Sequence, residues 1–215
     1  MESPAQVRGG TRWRRFAVVM VPSVAATAAI GVALAQGALA ASFSVSGQSF
    51  KVKASELVGQ NMVQYGGVAP GPRGNQAVVV SGFKSATITD MCQSVVTPDV
   101  PLLGTITLKL KAGFGEKKVL ADNLYLDVAS LDVDNAVFDT MEIGLPAKDL
   151  QSPGRRANEK ESSPAAPYGF GQQAKTATLT GVKQTAWATT AGSFTLPNLS
   201  LRLSRGTDEC FTDAP

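Results

Sequence analysis

The chain has 215 residues, 17% of them charged and 7% aromatic, and it contains no histidine. One copy of it therefore cannot build a Ser-His-Asp triad, a Cys-His pair or a His-ligated metal site. The net charge of +3 is carried by residues 1–40, where Arg8, Arg12, Arg14 and Arg15 face only Glu2; the remainder is neutral and has no electrostatic reason to take nucleic acid as a partner.

In chain order the leader comes first. Its arginines precede an apolar run from Phe16 to Ala35, predicted as a hydrophobic helix. Ala38-Leu39-Ala40 then fits the small-residue cleavage pattern, with the cut between Ala40 and Ala41. Residues 1–40 are thus a signal peptide or, because about 20 apolar residues just span a bilayer, a membrane anchor over residues 16–35. Either way residues 41–215 form one extracytoplasmic domain, secreted or held at the cytoplasmic membrane. Cys92 and Cys210 suit that compartment: two cysteines in an exported chain are most simply a disulfide, the alternative being two unpaired buried thiols.

The domain reads as all-β. Ser42 to Lys53 alternates through Phe43, Val45, Phe50 and Val52 and predicts a hairpin, with Leu57 to Tyr65 as a third strand. Gly66 to Asn75 reads as a loop, since Gly and Pro together interrupt either regular structure. Val78-Val79-Val80 marks a short buried strand. The clearest pattern runs from Val119 to Leu145. Leu124, Leu126, Val128, Leu131, Val133, Met141 and Ile143 alternate with Tyr125, Asp127, Asp132, Asp134 and Glu142, which predicts strands with one buried and one wet face. Lys148 to Phe170 has no apolar periodicity and reads as a mobile surface loop.

Three stretches resemble one another: S-A-T-I-T-D-M at 85–91, V-L-A-D-N-L at 119–124 and A-T-L-T-G-V at 177–182. Each is followed by a further alternating strand, at Thr105 to Leu110, Val137 to Ile143 and Phe194 to Leu203. Such recurrence predicts repeated β-units forming a sandwich, a roll or a short solenoid. Chance likeness among Thr-rich strands is the alternative.

Reactive constellations are scarce. Asp132-Val133-Asp134-Asn135 has the opening spacing of a Ca²⁺ loop but lacks its glycine turn and closing Glu, so the strand pattern accounts for these carboxylates. The G-x-S-x-G turn of ester hydrolases is absent; S-x-x-K occurs once, from Ser81 to Lys84, without S-D-N or K-T-G. No phosphate loop or dinucleotide fingerprint appears. No catalytic, metal or cofactor-binding residue is assigned, and no cofactor is expected.

Several segments carry a family likeness: the leader end G-A-L-A-A-S-F-S-V-S-G-Q, C-Q-S-V-V from Cys92, N-L-Y-L-D-V-A-S-L followed by N-A-V-F-D, and the ending R-G-T-D-E-C-F. With these the chain resembles an uncharacterised actinobacterial family of exported proteins. The resemblance implies a surface or secreted protein of Streptomyces-type bacteria, often encoded beside a multi-pass membrane protein. It brings no established activity, although members are sometimes labelled cholesterol esterase. The rhythm of Asn123 to Leu145 is also similar to lipid-handling domains built on long curved sheets. That likeness implies an apolar ligand face of Leu124, Leu126, Val133 and Ile143, residues that could equally fill a core. Three readings follow: a non-enzymatic binding or structural protein of the envelope, a lipid or sterol-ester hydrolase, and a carrier of a hydrophobic ligand.

Overall fold

Ten strands account for about three quarters of the described residues. The computed structural model describes residues 41–43, 48–71, 74–156 and 168–212. The leader with its predicted helix, and Ala40 of the cleavage site, lie outside the described residues. The strands are β1 Ala41–Phe43, β2 Phe50–Gly71, β3 Gly74–Thr89, β4 Met91–Val100, β5 Gly104–Ala112, β6 Val119–Asp132, β7 Asn135–Pro146, β8 Phe170–Ala191, β9 Ser193–Thr195 and β10 Ser200–Arg205. All belong to one sheet, and every pairing is antiparallel.

Four strands make the sheet close on itself. β2 pairs with β3, β3 with β6, β6 with β8, and β8 returns to β2. The ring is a spiral. From Val63 the ladder partners run through Gly82, Tyr125 and Thr190 to Ser42 of β1, not back to Val63. From β2 a wing of β4, β5 and β10 extends outward, and β7 continues the far edge of β8. One continuous sheet thus replaces the facing sheets or stacked units expected from the recurring stretches.

Those stretches have a local cause. Asn61, Asn123 and Thr140 have φ of 50°, 48° and 53°, in the left-handed region. They lie level across the sheet, because Met62 pairs with Phe83 and Ala174, Phe83 with Leu124, and Met141 with Ala174. A second level holds Asp90 (φ 52°) and Gly181 (φ 61°), with Ser55 of β2 between them. Ser55 Oγ donates to Asp90 Oδ2 at 2.8 Å. The stretches L-V-G-Q-N61, A-T-I-T-D90, V-L-A-D-N123, A-V-F-D-T140 and A-T-L-T-G181 each end on a left-handed residue. The likeness is therefore a repeated kink within one sheet.

At each level the buried face is regained after three residues instead of two. The buried positions run Ala54, Leu57, Gly59, Met62 in β2; Phe83, Ala86, Ile88 in β3; Ala121, Leu124, Leu126 in β6; and Ala174, Ala177, Leu179, Val182 in β8. These side chains pack together as the principal core, enclosed by the ring. Gly59 is required there, because a Cβ would stand 2.1 Å from the Phe83 ring. A second core lies on the opposite face and contains Val63, Tyr65, Val78, Val80 and Tyr125, closed over by Ala147 and Leu150.

Two local expectations are corrected. The hairpin across Ser42 to Lys53 does not form, since β1 pairs with β8 while Phe50 to Tyr65 runs on as a single strand. Ser55 and Asn61 shift the strand's face without ending it. Gly66 to Asn75 is no free loop: Val68, Ala69, Pro70 and Gly71 pair with Ala77, Gln76, Asn75 and Gly74. Proline is tolerated because the β8 ladder stops at Tyr65, which leaves the other edge of β2 free.

Because β-branched residues disfavour the left-handed region, Asn61→Val is expected to cost about 1–2 kcal/mol, whereas Asn61→Gly stays within about 0.5 kcal/mol. Urea denaturation of the two variants checks this.

Candidate functional site

Where the ring strands run past the principal core, a half-open cavity of about 540 Å³ appears. Its polar centre is built by register. Gln64 of β2 stands opposite both Ser81 of β3 and Gln172 of β8. Gln64 Nε2 donates to Ser81 Oγ at 3.0 Å, and Gln172 Nε2 donates to Gln64 Oε1. The surround is apolar, with Val79, Val128, Leu131 and Phe170 among the lining residues. Val79, Leu131 and Phe170 keep 47%, 37% and 61% of their surface open, so water-exposed apolar side chains rim the mouth. A volume of this order, apolar walls and a few convergent hydrogen-bonding groups are the marks of a small-molecule site.

The sequence-predicted apolar face is divided. Leu124 and Leu126 are buried in the principal core, Val133 is partly buried against it, and Ile143 is 65% exposed on β7. None of the four lines the cavity, which takes Val128 and Leu131 from the same stretch instead. Ser81 and Lys84 do not meet as a dyad. Ser81 is buried and accepts from Gln64, while Lys84 is exposed and its Nζ donates to Asn123 Oδ1 at 3.3 Å. The aspartates also scatter: Asp122 accepts from Ser193 Oγ at 2.7 Å, Asp127 pairs with Arg156, and Asp134 lies beside Gly181. Among the described residues no group of three His, Cys, Asp or Glu side chains is placed to hold a metal ion.

Residues 148–156, read from sequence as the start of a mobile loop, are fastened to the sheet. The Ala147 N–H donates to Gly169 O at 2.9 Å and closes the neck of the loop beside the cavity. The Gln151 N–H donates to Gln173 Oε1 at 2.8 Å, Tyr125 Oη donates to Pro153 O at 3.1 Å, and the Arg156 N–H donates to Tyr65 Oη at 3.0 Å. Arg156 then meets Asp127 with both terminal nitrogens. The Asp127 side chain is only 5% exposed, so losing its partner would leave a buried, uncompensated charge. Residues 157–167 lie outside the described residues.

At the other end of the chain Cys92 and Cys210 form a disulfide with a Cα–Cα distance of 5.9 Å. Beside it Lys51 Nζ pairs with Glu209 at 2.9 Å, Lys109 pairs with Asp208, and Ser94 Oγ accepts the Cys210 N–H at 3.0 Å. The acidic T-D-E-C-F ending is thereby laid across a basic face. A disulfide belongs to an oxidising, extracellular type of environment. Among the described residues no helix is long and apolar enough to cross a membrane.

The fold and the cavity define a protein built on one closed antiparallel sheet, with a half-open apolar site and a cross-linked tail. Residues 46–211 match a family of unknown function, DUF6230, and the chain belongs to that family. No curated protein and no solved structure matches it.

Arg156→Ala is expected to lower stability by about 3 kcal/mol through the stranded Asp127 carboxylate, and to open residues 147–156 to limited proteolysis. Digestion without reductant should yield one linked peptide holding Cys92 and Cys210. The bridge spans 118 residues, so the double Cys→Ser variant should lose up to about 4–5 kcal/mol on the chain-entropy argument; denaturation of the oxidised protein and the variant measures it.

Proposed function

We propose that the chain is an exported binding protein of the bacterial envelope, which holds an apolar or amphipathic small molecule in the cavity at the end of the ring. The observation that carries this reading is the combination of a 540 Å³ cavity, an exposed apolar rim and the Gln64–Ser81–Gln172 centre. An amphipathic ligand would bury its apolar body against Val79, Val128, Leu131 and Phe170 and direct one polar group at the amide and hydroxyl groups. Apolar burial of this kind contributes roughly 25 cal/mol per Å², and the polar centre would fix the ligand's orientation.

The leader supports export, either by cleavage after Ala40 or by anchoring through residues 16–35, and the disulfide agrees with that compartment. The family likeness supports a Streptomyces-type surface protein, often encoded beside a multi-pass membrane protein. A sterol-ester hydrolase is the less favoured reading. The chain has no histidine, and Ser81 bonds to Gln64 with Lys84 engaged elsewhere.

Mass spectrometry of the full chain purified from its native host should reveal a co-eluting apolar ligand. Ser130→Trp, which fills the cavity from β6, should remove that ligand while leaving the far-ultraviolet circular dichroism unchanged. A clean ligand-free spectrum of the wild type would sink the proposal.

A further inference from the structure

The outer face of the sheet carries cations in two cross-strand rows. Lys51, Ser94, Lys109 and Arg202 stand side by side on β2, β4, β5 and β10; Lys53, Cys92, Lys111 and Ser200 form the next row. Like charges placed directly opposite, as Lys109 and Arg202 are, destabilise a sheet. The tail answers part of this repulsion, with Glu209 on Lys51 and Asp208 on Lys109. Lys111 and Arg202 have no ion-pair or hydrogen-bond partner among the described residues. Both border a notch of about 190 Å³, whose other lining residues are Lys109, Ser200 and Asp208.

We infer that this notch is a binding site for a phosphate monoester. Three cations against one carboxylate leave it two positive charges in excess, and a phosphate monoester carries about −1.5 to −2 at neutral pH. Arg202 offers a planar fork of donors, Lys111 a compact point charge and Ser200 a hydroxyl, the combination that recognises a tetrahedral oxyanion. Asp208 does not spoil the site, because its carboxylate is held by Lys109. The tail therefore has a second role: it shapes the notch and limits it to one anion. The site shares no residue with the apolar cavity, so neither reading depends on the other.

Calorimetric titration of the full chain with inorganic phosphate, at ionic strength matched with chloride, tests the site. Saturable binding is expected, and it should weaken by at least about tenfold in the Lys111→Gln/Arg202→Gln double variant, the change that losing charge-assisted hydrogen bonds carries. Lys53→Gln removes a charge from the same face outside the notch and should alter the affinity by no more than about twofold. A thermal transition unchanged from wild type shows that the variants fold. Absence of saturable phosphate binding, or an equal loss in Lys53→Gln, would overturn the inference. Vesicles of phosphatidic acid, compared with phosphatidylcholine alone, separate two sources of the anion. Capture that free phosphate reverses assigns the site to a lipid headgroup, and phosphate binding without capture assigns it to a soluble ester.

Discussion

The left-handed residues at two levels of the sheet are the constraint on which everything else rests. A strand with strict alternation sends every second side chain to one face. One residue in the left-handed region shifts that count, so the same face returns after three positions. If a single strand did this, its ladder would fail. Here Asn61, Asn123 and Thr140 share one level, and Asp90 and Gly181 share the other, each set on alternate strands. The strands between them step by three at the same level without a positive φ, as from Phe83 to Ala86 and from Ala174 to Ala177, so the ladders resume beyond each level. Asn, Asp and Gly are the residues that adopt this conformation at least cost. Thr140 is the exception, and nothing in the structure explains it.

The two cores and the cavity descend from that arrangement. The shifts keep apolar side chains of β2, β3, β6 and β8 directed into the ring over long strands. Beyond Met62 the odd positions of β2, Val63 and Tyr65, supply a core on the other face, and the Ala147–Arg156 segment exists to cover it. On the ring side the same strands place Gln64, Ser81 and Gln172 level with one another. Large apolar residues no longer fill the space there, and a cavity with a hydrogen-bonded centre remains.

Alternation was legible wherever it is local. Leu124, Leu126 and Val128 share a buried face, as their spacing implies. The pattern fails just beyond, because the β6–β8 register shifts around Val128 and leaves Leu131 exposed. The resemblance among 85–91, 119–124 and 177–182 was visible, but its meaning was not, since a backbone angle of one sign leaves only an Asn, Asp or Gly as its trace. The Cys92–Cys210 pairing could be anticipated because the chain has no other cysteines. Neither the Gln64–Ser81–Gln172 centre nor the Asp127–Arg156 pair could be read from spacing. Each joins residues from distant strands or a segment without periodicity, and only the closed sheet brings them together.

The long ladder between β2 and β8 has a consequence for the order of events. It joins Phe50–Tyr65 to Gly171–Ala186, so the ring cannot close until most of the chain is available. Contacts this remote in sequence form slowly, because the entropy of closing the intervening loop opposes them before they are made. The wing has the same character, since β10 pairs with β5 and Cys210 is joined to Cys92 across 118 residues. The topology keeps the polypeptide open until its most distant segments have met, and the disulfide then fixes what the ladder has brought together.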